Sequence, residues 1–262
     1  MFDLESAESC QNIVFSNFYG PWSEKMVKHT QVQKNESILD IGCGTGEAAR
    51  YAAKLSGANG SVYGVDCEAK LLLKAQKLDP QSSVKWLETE LSNLPFVDEE
   101  FDAVIGSQIY QFLFNRDLAL RECHRVLKPG GRIVLNIFSR QELCPGHNAL
   151  IKGLETCNVD ATNLKQFFAQ SDPIAIGDCI AAYGFKDVSV VRKTLETKFL
   201  SSRFFVETFA NSDPFIESDF QKLKNDNLET VIEYVTKELQ SNAENEGVRI
   251  LTTANFVFGR RR

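Results

Sequence analysis

From about residue 36 to 138 the chain alternates short apolar runs with stretches of helical spacing. Ile38, Leu39 and Ile41 make a first strand, and the helix-forming run Glu47 to Leu55 follows it. Ser61 to Val65, Val84 to Leu87 and Phe101 to Ser107 read as three more strands. Asp117 to Leu127 carries Leu120, Cys123 or His124, and Leu127 on one stripe and ends before Pro129-Gly130-Gly131, so it reads as a helix feeding a fifth strand that reaches residue 138. Strands alternating with helices in this way predict an α/β fold with a mostly parallel sheet and helices on both faces.

The flanks are patterned differently. Residues 1–35 read as a helical lead-in whose aromatic cluster, Phe15, Phe18, Tyr19 and Trp22, is broken by Gly20-Pro21. Ser139 to about Phe168 is less regular and is expected to cross the mouth of the site. Asp172 to Ala182 predicts a helix stopped at Gly184, Val188 to Phe199 a sixth strand, residues 203–240 mostly helix, and about Arg249 to Phe258 a last strand.

Length and composition add bounds. With 262 residues and 43% hydrophobic content the chain can bury one core, so a single domain over 1–262 with a helical insertion is expected. A net charge of −6 opposes nucleic acid phosphates, and the arginines at 260–262 read as a solvated end. The seven cysteines, at 10, 43, 67, 123, 144, 157 and 179, contain no C-x-x-C pair, which predicts free thiols in a reducing cytosol and no metal site. No signal-peptide pattern opens the chain and no apolar stretch approaches the eighteen or so residues that span a bilayer, so a soluble cytoplasmic protein is expected.

The candidate chemistry lies where the first strand turns into its helix. Gly42, Gly44 and Gly46 stand at alternate positions, a spacing that lets backbone approach a ligand closely. A dinucleotide-binding loop is the first competitor, but in a G-x-G-x-x-G reading from Gly42 the third glycine falls on Glu47, an anion where a pyrophosphate would sit. No Gly-Lys-Ser/Thr follows, which removes a P-loop. Asp66, about twenty residues on at the end of the second strand, can accept both ribose hydroxyls.

Asp40 to Gly46 reads D-x-G-x-G-x-G after an apolar strand, and here the chain resembles the class I S-adenosylmethionine-dependent methyltransferases, within them the methyltransferase type 11 or UbiE-like group. Glu90-Leu91, Leu94-Pro95-Phe96, Phe101-Asp102-Ala103-Val104-Ile105-Gly106-Ser107 and Arg125 to Arg132 extend the match, which is tight over about 36–138 and loose elsewhere. The resemblance implies a Rossmann-like sheet of seven strands with an antiparallel last strand, at about 249–258, and a helical cap insertion, about 203–240, before it. It makes 36–138 the cofactor-binding core and 139–262 the acceptor-side half. It also implies S-adenosylmethionine as cofactor, with S-adenosylhomocysteine as product, held by Asp40, Gly42, Cys43, Gly44, Thr45, Gly46, Asp66, Cys67, Glu90, Leu91 and Ser107, with Tyr19 closing over it. In the family the acidic residue at Glu90 receives the adenine amino group.

The acceptor side is less defined. Gln108, Tyr110 and Gln111 sit just past the fourth strand, where the family places residues between cofactor and acceptor, and the bland alternative is a loop covering the sheet edge. Trp22 is either a pocket wall or core. His147 in Cys144-Pro145-Gly146-His147 is the candidate general base for O- or C-methylation, against a loop or helix-N-terminal residue without chemistry. The 19 phenylalanines and the run Phe199 to Phe215 point to a partly apolar small acceptor, or simply to the core of the insertion. Against O-, carboxyl- or C-methylation of such a molecule stands a rival of another class: a regulatory or assembly protein that binds the cofactor without turnover.

Overall fold

The computed structural model describes residues 14–211, 214–224, 227–244 and 247–262. In chain order its elements are a π-helical turn (Val14–Tyr19), α1 (Gly20–Thr30), β1 (Ser37–Ile41), α2 (Glu47–Ser56), β2 (Ser61–Asp66), α3 (Ala69–Leu78), β3 (Lys85–Glu88), β4 (Phe101–Ser107), α4 (Arg116–Val126) and β5 (Leu127–Phe138). Then come α5 (Pro145–Thr156), α6 (Thr162–Gln166), α7 (Pro173–Ala182), β6 (Phe185–Phe199), α8 (Ser202–Ala210), α9 (Pro214–Phe220), α10 (Asn227–Glu238), β7 (Ala243–Glu244) and β8 (Gly247–Arg261). They form two compact units, and β6 and β8 each run from one into the other.

The sheet unit holds residues 20–137, 172–192 and 255–262. Its strand order is β3-β2-β1-β4-β5-β8-β6, a mostly parallel sheet with antiparallel last strands, as the sequence predicts. β1 pairs in parallel with both β2 and β4, so the order reverses beside β1, and in open α/β sheets ligands bind outside the carboxyl ends of the strands at such a point. Four of the five residues of β1 are buried, Asp40 among them, because a central parallel strand is covered on both faces. α2 packs with Ala48, Ala49 and Ala52, small residues that allow close approach, and ends at Gly57 with φ 77°. α4 buries Ala119, Leu120, Cys123 and Val126, so Leu120 and Cys123 of the expected stripe face the core, whereas Leu127 already begins β5.

The helical unit holds the described part of 1–19 together with 138–171 and 193–254. Two expectations are corrected here. The stretch after the fifth strand is regular, forming α5 and α6, because Pro145 at the first turn starts a helix where a missing N–H costs nothing. Gly20-Pro21 does not break the lead-in either: the π-helical turn passes directly into α1, with Pro21 again in the first turn. α10 packs along α5 where Gly153 lets Val231 come close, and Asp219 caps α6 by accepting the N–H groups of Asn163 and Leu164, each at 2.9 Å. Phe199, Phe205 and Phe209 are buried against one another with ring centroids 5.0–6.2 Å apart, so within the Phe-rich run these rings are core. The side chain of Phe215 and residues 1–13 lie outside the described residues.

Candidate functional site

The turn after β1 has left-handed backbone at all three glycines, with φ 59° at Gly42, 54° at Gly44 and 85° at Gly46. Cys43 N–H donates to the Val65 carbonyl at 3.0 Å and Gly46 N–H to the Cys43 carbonyl at 2.8 Å, which folds the loop over the end of β2. A Cβ on Gly44 would meet nothing within 4 Å, so the middle of the loop faces open space. That is the cradle a close-lying ligand needs.

Asp66 stands beside it, 8% exposed, with one carboxylate oxygen accepting Gly44 N–H at 2.9 Å and the other accepting Glu68 N–H at 3.0 Å. A carboxylate offers about four lone-pair sites, so two backbone donors leave capacity for a diol. Asp40, at the end of β1, is 1% exposed; burial pushes its carboxyl well above the usual range, Glu47 and Asp66 push the same way, and the Ala49 backbone N–H and Arg50 oppose them. Burial likewise raises the Cys43 thiol, with Asp40 and Asp66 adding to the effect. Thr45 is buried and donates to both Glu47 oxygens at 2.8 and 3.0 Å, while Arg50 pairs with Glu47 at 3.1 Å and donates to the Thr45 carbonyl at 2.7 Å. Glu47 is thereby fixed at the helix N-terminus, where an acidic group is favourable and a pyrophosphate would be repelled.

Cys67 and Glu90 are exposed at the ends of β2 and β3, near enough that Glu90, after burial and Asp66, raises the Cys67 thiol. Leu91 packs against the core of the sheet unit. At the end of β4, Ser107 accepts from Ser23 at 3.1 Å and donates to the Asn136 side-chain oxygen at 3.3 Å. Gln108 has φ 58°, an uncommon conformation for a non-glycine residue, and its N–H is held by the Asn136 side-chain oxygen at 3.0 Å and backbone carbonyl at 2.9 Å. Gln111 donates to the Gln108 side-chain oxygen at 3.2 Å. Asn136, fully buried, completes the network by donating to the Trp22 carbonyl at 3.1 Å.

Three sequence candidates lie elsewhere than a pocket wall. Tyr110 is 1% exposed in the sheet-unit core under the Arg116 guanidinium at 4.6 Å; burial, then the Cys179 contact, pushes its hydroxyl far up. Trp22 is fully buried against Phe256, with ring centroids 5.9 Å apart. His147 belongs to the helical unit, fully buried among Phe18, Phe138, Phe168 and Phe209 at 5.3–5.7 Å, with no hydrogen bond at either ring nitrogen among the described residues. Burial lowers its pKa to about 3, so it is a neutral member of an apolar cluster; it stands in the first turn of α5, as the helix-N-terminal alternative has it, and not in a loop. Tyr19, also in the helical unit, is half-buried with its ring edge on Phe18.

Asn136, Ser23 and Trp86 escaped the sequence reading. Asn136 is the one polar residue in Ile133-Val134-Leu135-Asn136-Ile137-Phe138, a signal that a buried strand end holds hydrogen bonds. Among the described residues no group of three or more His, Cys, Asp or Glu could hold a metal, and no helix is long and apolar enough to cross a membrane.

Residues 39–135 match the family described as a methyltransferase domain. The 2-phytyl-1,4-naphthoquinone methyltransferase of Nostoc punctiforme is 38% identical over 123 residues, 45% of this chain and 54% of that protein. The chain thus spans about half the length of the curated relatives it matches. The YcgJ protein of a Bacillus aligns with TM-score 0.61 at 17% identity, covering 92% of this chain and 99% of that one. A Haemonchus contortus phosphoethanolamine N-methyltransferase 2 in complex with S-adenosyl-L-methionine aligns with TM-score 0.61 at 19% identity, covering 97% and 56%.

Proposed function

With residues 39–135 forming a methyltransferase domain, we propose that this protein transfers a methyl group from S-adenosylmethionine to a small molecule. The observation that carries the proposal is the open cradle over Gly44 with the Asp66 carboxylate at its edge, 2.9 Å from the Gly44 nitrogen. In this reading Asp66 holds the ribose diol, the backbone of Gly42 to Gly46 lies along the methionine moiety, and Cys67, Glu90 and Leu91 border the adenine. Bound there, the cofactor supplies a sulfonium methyl for in-line displacement.

The chain's own contribution is placement. Holding acceptor and donor in line supplies about 7–11 kcal/mol of barrier reduction where orientation is good. The Asn136 network supports this by fixing Ser107 and Gln108 at the carboxyl end of β4. No titratable side chain of that network is available as a base, which favours an acceptor that is already a nucleophile, such as a carboxylate, an enolate or an electron-rich ring. The naphthoquinone ring in the name of the Nostoc punctiforme relative is electron-poor as the quinone and joins this class only as its reduced dihydroxy form, which is the acceptor to try first.

The test is transfer of labelled methyl from S-adenosylmethionine to an organic-solvent extract and to a panel of naphthoquinones supplied in their chemically reduced dihydroxy form, with Gly44→Val as the inactive control. The valine Cβ would project into the open space over the loop, at a φ that disfavours branched residues. Labelled product with the wild type alone supports the proposal. Cofactor binding without transfer to any acceptor, and a specific protein partner instead, would favour the regulatory reading.

A further inference from the structure

Trp86 lies in β3 directly opposite Gly64 of β2. A Cβ built on Gly64 would fall 2.5 Å from Trp86 Cζ3 and 2.7 Å from Cε3; one built on Gly46 would collide with Cη2 and fall 2.7 Å from the same Cζ3. The benzo ring of the indole therefore touches two glycine backbones, one in the sheet and one at the start of α2. Distances this short require both residues to lack a side chain while the indole is there. Glycine inside a strand normally weakens it, and close approach by another group is one of the reasons it is kept.

The clamped end of the loop is held from its other side as well. Gly46 accepts Arg50 N–H at 3.0 Å through its carbonyl and donates to the Cys43 carbonyl at 2.8 Å, while Arg50 Nη1 binds the Thr45 carbonyl at 2.7 Å. Cys43 Sγ lies 3.1 Å from the position a Gly64 Cβ would take, so the loop's second residue borders the same spot. Only the middle, at Gly44, is left facing open space.

We infer that Trp86 is a positioning residue for the cofactor loop, a rigid wedge between β2 and Gly46 that sets the height of the glycine turn above the sheet. The inference rests on the proposed cofactor role of that loop. A flat ring with two side-chain torsions suits the task, because backbone that must meet a ligand within a few tenths of an ångström cannot rest on a flexible support. The indole also makes an optical reporter, since the only other tryptophan, Trp22, is fully buried against Phe256.

The experiment titrates S-adenosylhomocysteine into wild type, Trp86→Phe and Trp86→Ala, following heat and tryptophan emission together. Wild type is expected to change emission with the same midpoint as the heat. Trp86→Phe should lose that change while keeping most of the affinity, and Trp86→Ala should bind at least about tenfold more weakly, ~1.4 kcal/mol. A merely structural tryptophan would lower the melting temperature of Trp86→Ala and leave the affinity of the folded protein unchanged. Wild-type affinity in folded Trp86→Ala, or an emission change that survives in Trp86→Phe, overturns the inference. If Trp86→Ala does not fold, the emission comparison of wild type with Trp86→Phe still decides. Absence of adenosyl binding by the wild type contradicts the proposed function itself and removes the inference with it.

Discussion

Removing the Asp66 carboxylate separates its two roles. In the structure it accepts the Gly44 and Glu68 backbone N–H groups at 2.9 and 3.0 Å while only 8% exposed, so Asp66→Ala strips two donors of their partner in a largely dry place. Hydrogen bonds to a charged group contribute about 1.5–3 kcal/mol, and two on one carboxylate do not add fully, so a stability loss of about 2–3 kcal/mol is expected. For a chain of this size that lowers the melting temperature by roughly 4–12 °C. The ribose contact is a second loss of about 1.5–3 kcal/mol, a factor of about 10–150 in the dissociation constant. Asp66→Asn tells the two apart, because one oxygen still accepts a backbone N–H while the amide NH₂ faces the diol as a donor. It should recover part of the melting temperature and little of the affinity. Calorimetric titration with S-adenosylhomocysteine, run well below the melting transition, measures the second quantity. If Asp66→Ala is less stable yet binds as wild type does, Asp66 is a brace for the glycine loop and its assignment to the cofactor is wrong.

Three further outcomes are expected. Because burial raises the Asp40 carboxyl, the folded state holds that proton more tightly than the unfolded chain, so the stability tied to it is full at acid pH and lost as pH rises through the raised value; urea unfolding across pH should show this loss in wild type and not in Asp40→Asn. His147 has the opposite sign: its pKa falls from 6.5 to about 3, so its contribution is present above 6.5 and lost as pH drops towards 3, at up to ~1.4 kcal/mol per pH unit, and His147→Leu should remove that slope while leaving methyl transfer intact. Loss of transfer in a folded His147→Leu would restore its candidacy as a base. Asn136→Ala unlocks Gln108 from φ 58° and leaves the Trp22 carbonyl without its donor, which should cost about 1–3 kcal/mol of stability and raise the acceptor KM at unchanged S-adenosylhomocysteine affinity; equal losses for both ligands would place the network under the cofactor instead.

What could be read in advance followed from local rules. β1 and β4 are largely buried and therefore spell mostly apolar runs, and the glycines at 42, 44 and 46 stand at positive φ, a conformation that favours glycine. The helix expected over Asp172 to Ala182 is α7, with the Asp172 side chain accepting from Ile174 and Ala175 at its start. What failed depends on neighbours distant in sequence. Whether Tyr110 points to a pocket or a core is decided by Arg116 and Cys179, which meet it only in the folded sheet unit. His147 carries no local sign that Phe18 and Phe209 will enclose it. Trp86 reads as one more strand aromatic until Gly64 is seen opposite it, and the regularity of 145–166 was hidden because Gly146 and Gly153, poor helix formers, are there for close packing against Ile250 and Val231.

The central claim, an adenosyl cofactor on the glycine loop, is tested most directly by calorimetric titration of the purified protein with S-adenosylhomocysteine and S-adenosylmethionine, with NAD as control. Micromolar binding of both adenosyl ligands and none of NAD is expected from the open cradle at Gly44, the Asp66 carboxylate beside it and the anionic Glu47 where a pyrophosphate would lie. Binding of NAD alone, or of no adenosyl ligand at all by the folded protein, would contradict it.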